Sequence, residues 1–426
     1  MNAPLRRGVC PGLSAPLPTG DGLLVRMRPL GGIPLAAFDS LCAFAVAHGN
    51  GIIEITARGS IQVRGLRPAS TPRFGAAVAK LGIMADDGIP VLTNPLAGIA
   101  AGEIVDLTAC AADLRCALAH RSLATRLSPK ISVVLDGGGA LNLDTLNADV
   151  RLRAVRWQDG AVLQVSVGGC AASAAPLGSV AVADGVETAV RLLDVLVKRG
   201  RDGRARDILA GEGAGSFHAA VADLLLRDAA PQLESPRGDA LGPLALRNGS
   251  FAYGIGFAFG HADASSLRGL IEIADRAGAG ALVAAPGRIL IAVGLSSSHA
   301  ASDFAGKAGR LGFIVSADDP RRRVIACAGA PLCASGHIAT RTLAPLIAEV
   351  AAPLHGKLAT IHLSGCAKGC AHPRKTALTI VGSPAGCELV ADGSARDAPF
   401  AVVANEDLPA VVAKYARTLS REAHHV

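Results

Sequence analysis

Residues 49–66 read GNGIIEITARGSIQVRGL, and residues 278–295 read GAGALVAAPGRILIAVGL. Both open on a Gly-x-Gly turn, run through two apolar segments split by a glycine-bearing turn, and close on Gly-Leu. The alternation in Ile52-Ile53-Glu54-Ile55-Thr56 and Ile61-Gln62-Val63 has the two-residue period of a strand. Arg58-Gly59 between them supplies the turn of a hairpin.

The likeness extends outward. Downstream, a short helical stretch ends in Lys80-Leu81-Gly82-Ile83 in one copy and Arg310-Leu311-Gly312-Phe313 in the other. Upstream, Leu23 to Arg28 and Tyr253 to Phe259 alternate like strands, while Pro34 to His48 and Ala264 to Ala277 space their apolar residues like helices. Each copy therefore reads strand, helix, strand, strand, helix, which is most of a ferredoxin-like split βαβ unit. Between the copies, Glu103–Ala119 and Val186–Lys198 read as helices, Lys130–Leu135 and Ala161–Val167 as strands, Gly200 to Gly215 as a loop and Pro231–Gly242 as a linker. The expected layout is an N-terminal segment (1–17), a first small unit (18–85), a larger α/β unit (86–235), a second small unit (245–316) and a second larger unit (320–426).

Composition limits what such a chain does. Aromatics are 3% of 426 residues, so the cores must be built from Ala, Val, Leu and Ile. The net charge of +7 is carried mostly by arginine, but stacking aromatics are scarce and Arg321-Arg322-Arg323 is the longest basic run. Nucleic acid fits poorly, and a polycarboxylate small molecule fits better, because the arginine fork matches a carboxylate. Arg6 and Arg7 precede no apolar stretch, and no run of about 18 apolar residues stands out. These features give the expectation of a soluble cytoplasmic protein with no membrane partner. No Gly-x-Gly-x-x-Gly follows a convincing strand, so no nicotinamide site is expected.

In a cytoplasm, clustered cysteines point to metal before disulfide. Residues 327–336 read CAGAPLCASG and residues 364–373 read SGCAKGCAHP. Cys327/Cys333 form a C-x5-C pair and Cys366/Cys370 a C-x3-C pair, each flanked by glycine and proline. Two such loops can bring four thiolates around an iron–sulfur cube, with backbone amides turned toward the sulfurs. Three rivals remain open: zinc, which favours tighter C-x2-C pairs; disulfides; and unrelated buried thiols. Cys110 and Cys116 repeat the five-residue spacing on a helix without a second pair nearby. Cys10, Cys42, Cys170 and Cys387 are isolated. His337, His362 and His372 stand beside the cysteines as candidates for iron ligation or proton transfer. Lys368, Arg374 and Lys375 are candidate carboxylate partners.

The cysteine pairs and the duplicated small unit together resemble the sulfite/nitrite reductase superfamily, from about Pro18 to about Leu419. The resemblance implies an α+β fold of duplicated ferredoxin-like half-domains with two larger α/β domains of the reductase type. It implies a 4Fe–4S cluster on Cys327, Cys333, Cys366 and Cys370, the last of which in the reductases also bridges to sirohaem iron. Within that superfamily the opening RRGVCPGLSAPLPTGDGLLVR, Arg6 to Arg26, resembles the precorrin-3B synthases. That branch implies an oxygen-dependent monooxygenase of aerobic cobalamin synthesis. Its substrate is precorrin-3A, hydroxylated at carbon 20 and closed to a γ-lactone. Dioxygen is the oxidant and NADH the ultimate reductant, through an external electron donor. A mononuclear non-haem iron is also associated with the family.

Two positions carry over to tetrapyrrole binding: Arg58, in Thr56-Ala57-Arg58-Gly59, and Lys130, the first lysine of the reductases' K-x-K. The second lysine is Ser132 here, which weakens the alternative of a sirohaem-dependent sulfite or nitrite reductase. An arginine usual in the reductases just before the Asn-Pro segment is not evident near Asn94-Pro95.

Overall fold

The computed structural model describes residues 12–13, 15–83, 88–158, 160–227, 238–352 and 360–422. Cys10 and most of the Pro231–Gly242 linker lie outside them. The described residues form four five-stranded sheets. Two are antiparallel and come from the duplicated units; two are mixed.

The first antiparallel sheet runs Leu17–Thr19, Gly22–Met27, Ile61–Leu66, Ile52–Ile55 and, at its edge, His261–Asp263. The second runs Gly242–Ala245, Phe251–Gly256, Ile289–Leu295, Ala281–Ala285 and, at its edge, Ile33–Pro34. The last strand of each sheet belongs to the other copy. His261 pairs with Glu54, and Leu282 with Ile33. Each exchanged strand leads directly into a helix, Leu35–His48 or Ala264–Arg276, and the two helices pack together. Asp263 caps the second by accepting a 2.9 Å bond from the Ser266 amide. Phe38, Leu41, Leu267, Leu270 and Phe304 share one buried core drawn from both copies. The halves are thus one body, because neither sheet is complete alone.

The two hairpin turns meet at the junction. The Gly287 amide donates to the Ala57 carbonyl at 3.1 Å, and Arg58 bridges to Pro286. Gly59 sits at φ +78, and a Cβ there would lie 2.9 Å from the Ala285 carbonyl carbon. The close contact requires glycine.

The mixed sheets share one plan. In the first, Val91–Thr93, Val133–Asp136 and Ala148–Trp157 are parallel neighbours, followed by antiparallel Gly160–Gly169 and Ala175–Ala181. In the second, Val324–Ala326, Ile361–Ser364 and Thr376–Ser383 are parallel, followed by antiparallel Gly386–Gly393 and Ala401–Val403. The helices Thr108–His120 and Gly185–Val197 bury their apolar faces with the first sheet, and Thr340–Val350 and Leu408–Glu422 with the second. The repeat therefore reaches the larger units, where the sequence shows no likeness.

Several local expectations change. Gly200 to Gly215 contains a helix, Ala205–Glu212, because Ala205 and Ile208 bury one face between glycines that mask the pattern. The helix expected from Glu103 starts at Thr108, since Glu103 turns back to bond the Gly98 amide. The strand expected from Lys130 starts at Val133. The strand expected to reach Phe259 stops at Gly256, before a tight turn with Phe259 at φ 57. Among the described residues no helix is long and apolar enough to cross a membrane.

Candidate functional site

Both cysteine pairs follow the carboxyl ends of neighbouring parallel strands. Cys327 comes directly after Val324–Ala326, and Cys366 two residues after Ile361–Ser364. Crevices at such strand ends are where open α/β sheets hold ligands. The two loops grip each other at several points. The Gly365 amide donates to Cys327 Sγ at 3.1 Å, and the His337 amide to the Gly365 carbonyl at 2.8 Å. Lys368 Nζ donates to Ser335 Oγ at 2.8 Å. The Cys327 amide donates to Leu363 O at 3.2 Å, while Thr340 Oγ1 donates to the Cys327 carbonyl at 2.7 Å.

Glycine makes this closeness achievable. A Cβ on Gly365 would meet Gly329 Cα at 3.0 Å, Gly336 Cα at 3.3 Å and Cys327 Sγ at 3.4 Å. A Cβ on Gly336 would fall 2.6 Å from the Ala330 amide nitrogen. Burial pushes the Cys327 thiol above its ordinary pKa, against the pull of the Gly365 and Gly329 amides, so any metal bound there would have to displace its proton. Cys366 is half-buried and Cys370 exposed. Among the described residues, no three His, Cys, Asp or Glu side chains are gathered as a metal-holding group. The donor chemistry and the loop frame suit a thiolate-bound cluster.

A shallow open cleft, with about 130 Å³ of room for water-sized groups, lies where the first hairpin, the second hairpin and the first mixed sheet meet. Arg28, Arg58 and Arg115 line it, with Ser60, Thr93, Asn94, Thr108 and Pro286 among the other walls. Arg58 Nη2 donates to Ser132 Oγ at 3.1 Å and to the Asn147 carbonyl. Arg28 Nη2 donates to Gly88 O at 2.9 Å, while its buried Nε has no partner among the described residues. The cysteine loops do not line this cleft. They reach its border through Arg288, one residue beyond the hairpin contact, whose Nη2 lies 3.5 Å from the Ala371 carbonyl. Burial pushes the Arg288 guanidinium below its usual pKa, partly offset by Glu54.

The structure thus brings Arg58 and Ser132 into contact. Lys130 is exposed and outside the lining of the cleft. Arg374 and Lys375 are also exposed. His362 is buried on its strand with its ring 5.9 Å from that of His372, and His337 is exposed. Burial lowers the His372 pKa, assisted by Arg374 and Arg288.

Sequence reading missed a buried ionic network behind the first cysteine loop. Arg64 pairs with Asp21 at 3.0 Å and lies 3.6 Å from Glu54, which also pairs with Arg341. His261 lies opposite Glu54 in the exchanged strand, and burial, then Arg341, push its pKa down to about 4. The signal for Arg64 and Glu54 was present: both are charged residues on strands otherwise rich in isoleucine and valine.

Residues 15–81 match the nitrite/sulfite reductase ferredoxin-like half domain. A precorrin-3B synthase from a Sinorhizobium species is 37% identical over 417 residues, covering 97% of this chain and 89% of that protein. The chain belongs to the precorrin-3B synthase family. The structure of the Mycobacterium tuberculosis NirA protein superposes with a TM-score of 0.74 over 94% of this chain and 81% of that one, at 18% identity. This family member therefore has the reductase fold, and that likeness speaks for fold alone.

Proposed function

We propose that this chain converts precorrin-3A to precorrin-3B by an oxygen-dependent hydroxylation at carbon 20 with γ-lactone closure, as a step of aerobic cobalamin biosynthesis. The observation that carries the reading is the pair of cysteine loops closed on each other near an arginine-lined cleft, in a chain with precorrin-3B synthase kinship.

Cys327, Cys333, Cys366 and Cys370 would hold a 4Fe–4S cluster. When bound, such a cluster supplies single electrons at a potential set partly by hydrogen bonds to its sulfurs. The Gly365 amide at Cys327 is one such bond. Arg58, Arg28 and Arg115 would pair with the acetate and propionate groups of the macrocycle and fix its orientation. Lys130 would serve only as an outlying charge, because it is exposed. No cage for a mononuclear iron is assembled among the described residues. Ser132 places its hydroxyl on Arg58, which leaves no second lysine for an inorganic anion and disfavours sulfite or nitrite reduction.

Anaerobically purified protein incubated with precorrin-3A, a reductant and labelled dioxygen should yield a product that has gained one labelled oxygen by mass spectrometry. A strong haem-like spectrum in the purified protein, with no labelled product, would favour the sirohaem reductase instead. A colourless zinc protein would remove the cluster.

A further inference from the structure

The loop between Cys327 and Cys333 is held from outside its own sheet. Arg64, on strand Ile61–Leu66, is 5% exposed. Its Nη2 donates to the Leu332 carbonyl at 2.6 Å, one residue before Cys333. The same guanidinium forks onto Asp21, with Nη2 at 3.0 Å and Nε at 3.2 Å. Asp21 is fixed in turn by Thr19 Oγ1 at 2.7 Å and Asn50 Nδ2 at 2.8 Å. Gly20 presses the turn against the loop: a Cβ there would lie 2.5 Å from Pro331 O and 2.7 Å from the Ala334 amide. A buried ion pair of the first antiparallel sheet thus ends on the backbone of a cysteine loop in another sheet.

We infer that Arg64, balanced by Asp21, is a positioning residue that holds the Cys333 loop and biases the reduction potential of the centre Cys333 ligates. The inference rests on the cluster reading above. Reduction adds one negative charge to a cluster. A buried cation nearby favours the reduced form, and its anionic partner offsets that. Removing Arg64 should lower the potential, and neutralising Asp21 should raise it. A latch that acted only by packing would loosen the loop in both variants and could not give opposite signs.

The test is a redox titration of anaerobically purified holoprotein, followed by electron paramagnetic resonance, for wild type, Arg64→Gln, Arg64→Lys and Asp21→Asn. Arg64→Gln should move the reduction equilibrium at least tenfold toward the oxidised form, 59 mV for a one-electron couple. Asp21→Asn should shift it the other way. Arg64→Lys, which keeps the charge, should recover most of the loss. Equal potentials throughout, or shifts of one sign in Arg64→Gln and Asp21→Asn, overturn the inference. Should Arg64→Gln fail to fold, a raised potential in Asp21→Asn with a near wild-type Arg64→Lys still supports it, and an unmoved Asp21→Asn sinks it. A second arm uses cluster-free protein. The Cys333 amide donates to Gly329 O at 2.7 Å, and its hydrogen exchange should speed up at least tenfold in Arg64→Gln. Unchanged protection refutes the positioning role even if the wild type carries no cluster, which would count separately against the cluster reading.

Discussion

The two mixed sheets have the same strand order and opposite contents at the same loops. After the first two parallel strands of the second sheet come Cys327 and Cys366. After those of the first come Asn94 and the end-residue Asp136. There the polar groups satisfy one another. Asp136 accepts from Asn94 Nδ2 at 2.9 Å, from the Gly138 amide at 2.9 Å and from the Leu143 amide at 2.7 Å, while Asn94 Oδ1 accepts from the Gly137 amide at 2.6 Å. One frame carries a closed set of hydrogen bonds on one side and soft thiol donors on the other. The strand ends supply converging loops; the residue type decides whether those loops hold each other or a ligand.

The comparison breaks first at the cysteines. Cys370→Ser should abolish the iron–sulfur signal in visible and magnetic resonance spectra, and Asn94→Ala should leave it intact. Retention of the full signal in Cys370→Ser would remove that ligand. Asp136→Ala should do the converse: the cluster signal stays, while stability falls by on the order of 4 kcal/mol, because a fully buried carboxylate leaves three donors unpaired. Chemical denaturation measures this, and a loss below about 1 kcal/mol would mean the closed set is dispensable.

A smaller effect separates the two hairpin arginines. Arg58 reaches the first sheet at Ser132 and Asn147, and Arg288 reaches the second at Ala371. Arg58→Ala should weaken anaerobic precorrin-3A binding by roughly 1.5–3 kcal/mol, the scale of a charged hydrogen bond. Lys130→Ala should cost under about 1 kcal/mol, since that lysine is exposed. Equal losses would place the macrocycle nearer Lys130 than the cleft suggests.

The ferredoxin-like halves were legible because their strands alternate on one buried face and their turns need glycine at matching places. The cysteine loops were legible because thiol pairs are rare and their spacing is specific. Three features were not. The exchanged strands Ile33–Pro34 and His261–Asp263 are too short to carry a period. The kinship of the mixed sheets rests on strand order, and parallel core strands read as uniform apolar runs. Arg28 and Arg115 show no local pattern, because a cleft gathers them from elements far apart in the chain.

The subtlest difference between the sheets lies in how each treats a buried acid. Cys327 in one and Glu103 in the other are both pushed up in pKa chiefly by burial. At Cys327 a metal can displace the proton. Among the described residues Glu103 is held by the Gly98 amide at 2.7 Å and Arg247 at 3.4 Å, with its side chain 2% exposed and no partner there for Oε1. A carboxyl whose pKa is raised by folding favours the fold in its neutral form. Its contribution is full below the ordinary value of 4.5 and is lost as pH rises through the folded value. Glu103→Gln cannot ionise, so the variant should gain stability relative to wild type between about pH 4 and about pH 8. Paired thermal melts at the two pH values read the effect. A gap that stays constant, or moves toward wild type as pH rises, would show that Arg247 and the Gly98 amide fully compensate the burial, and that the first sheet bears its acid as a charge.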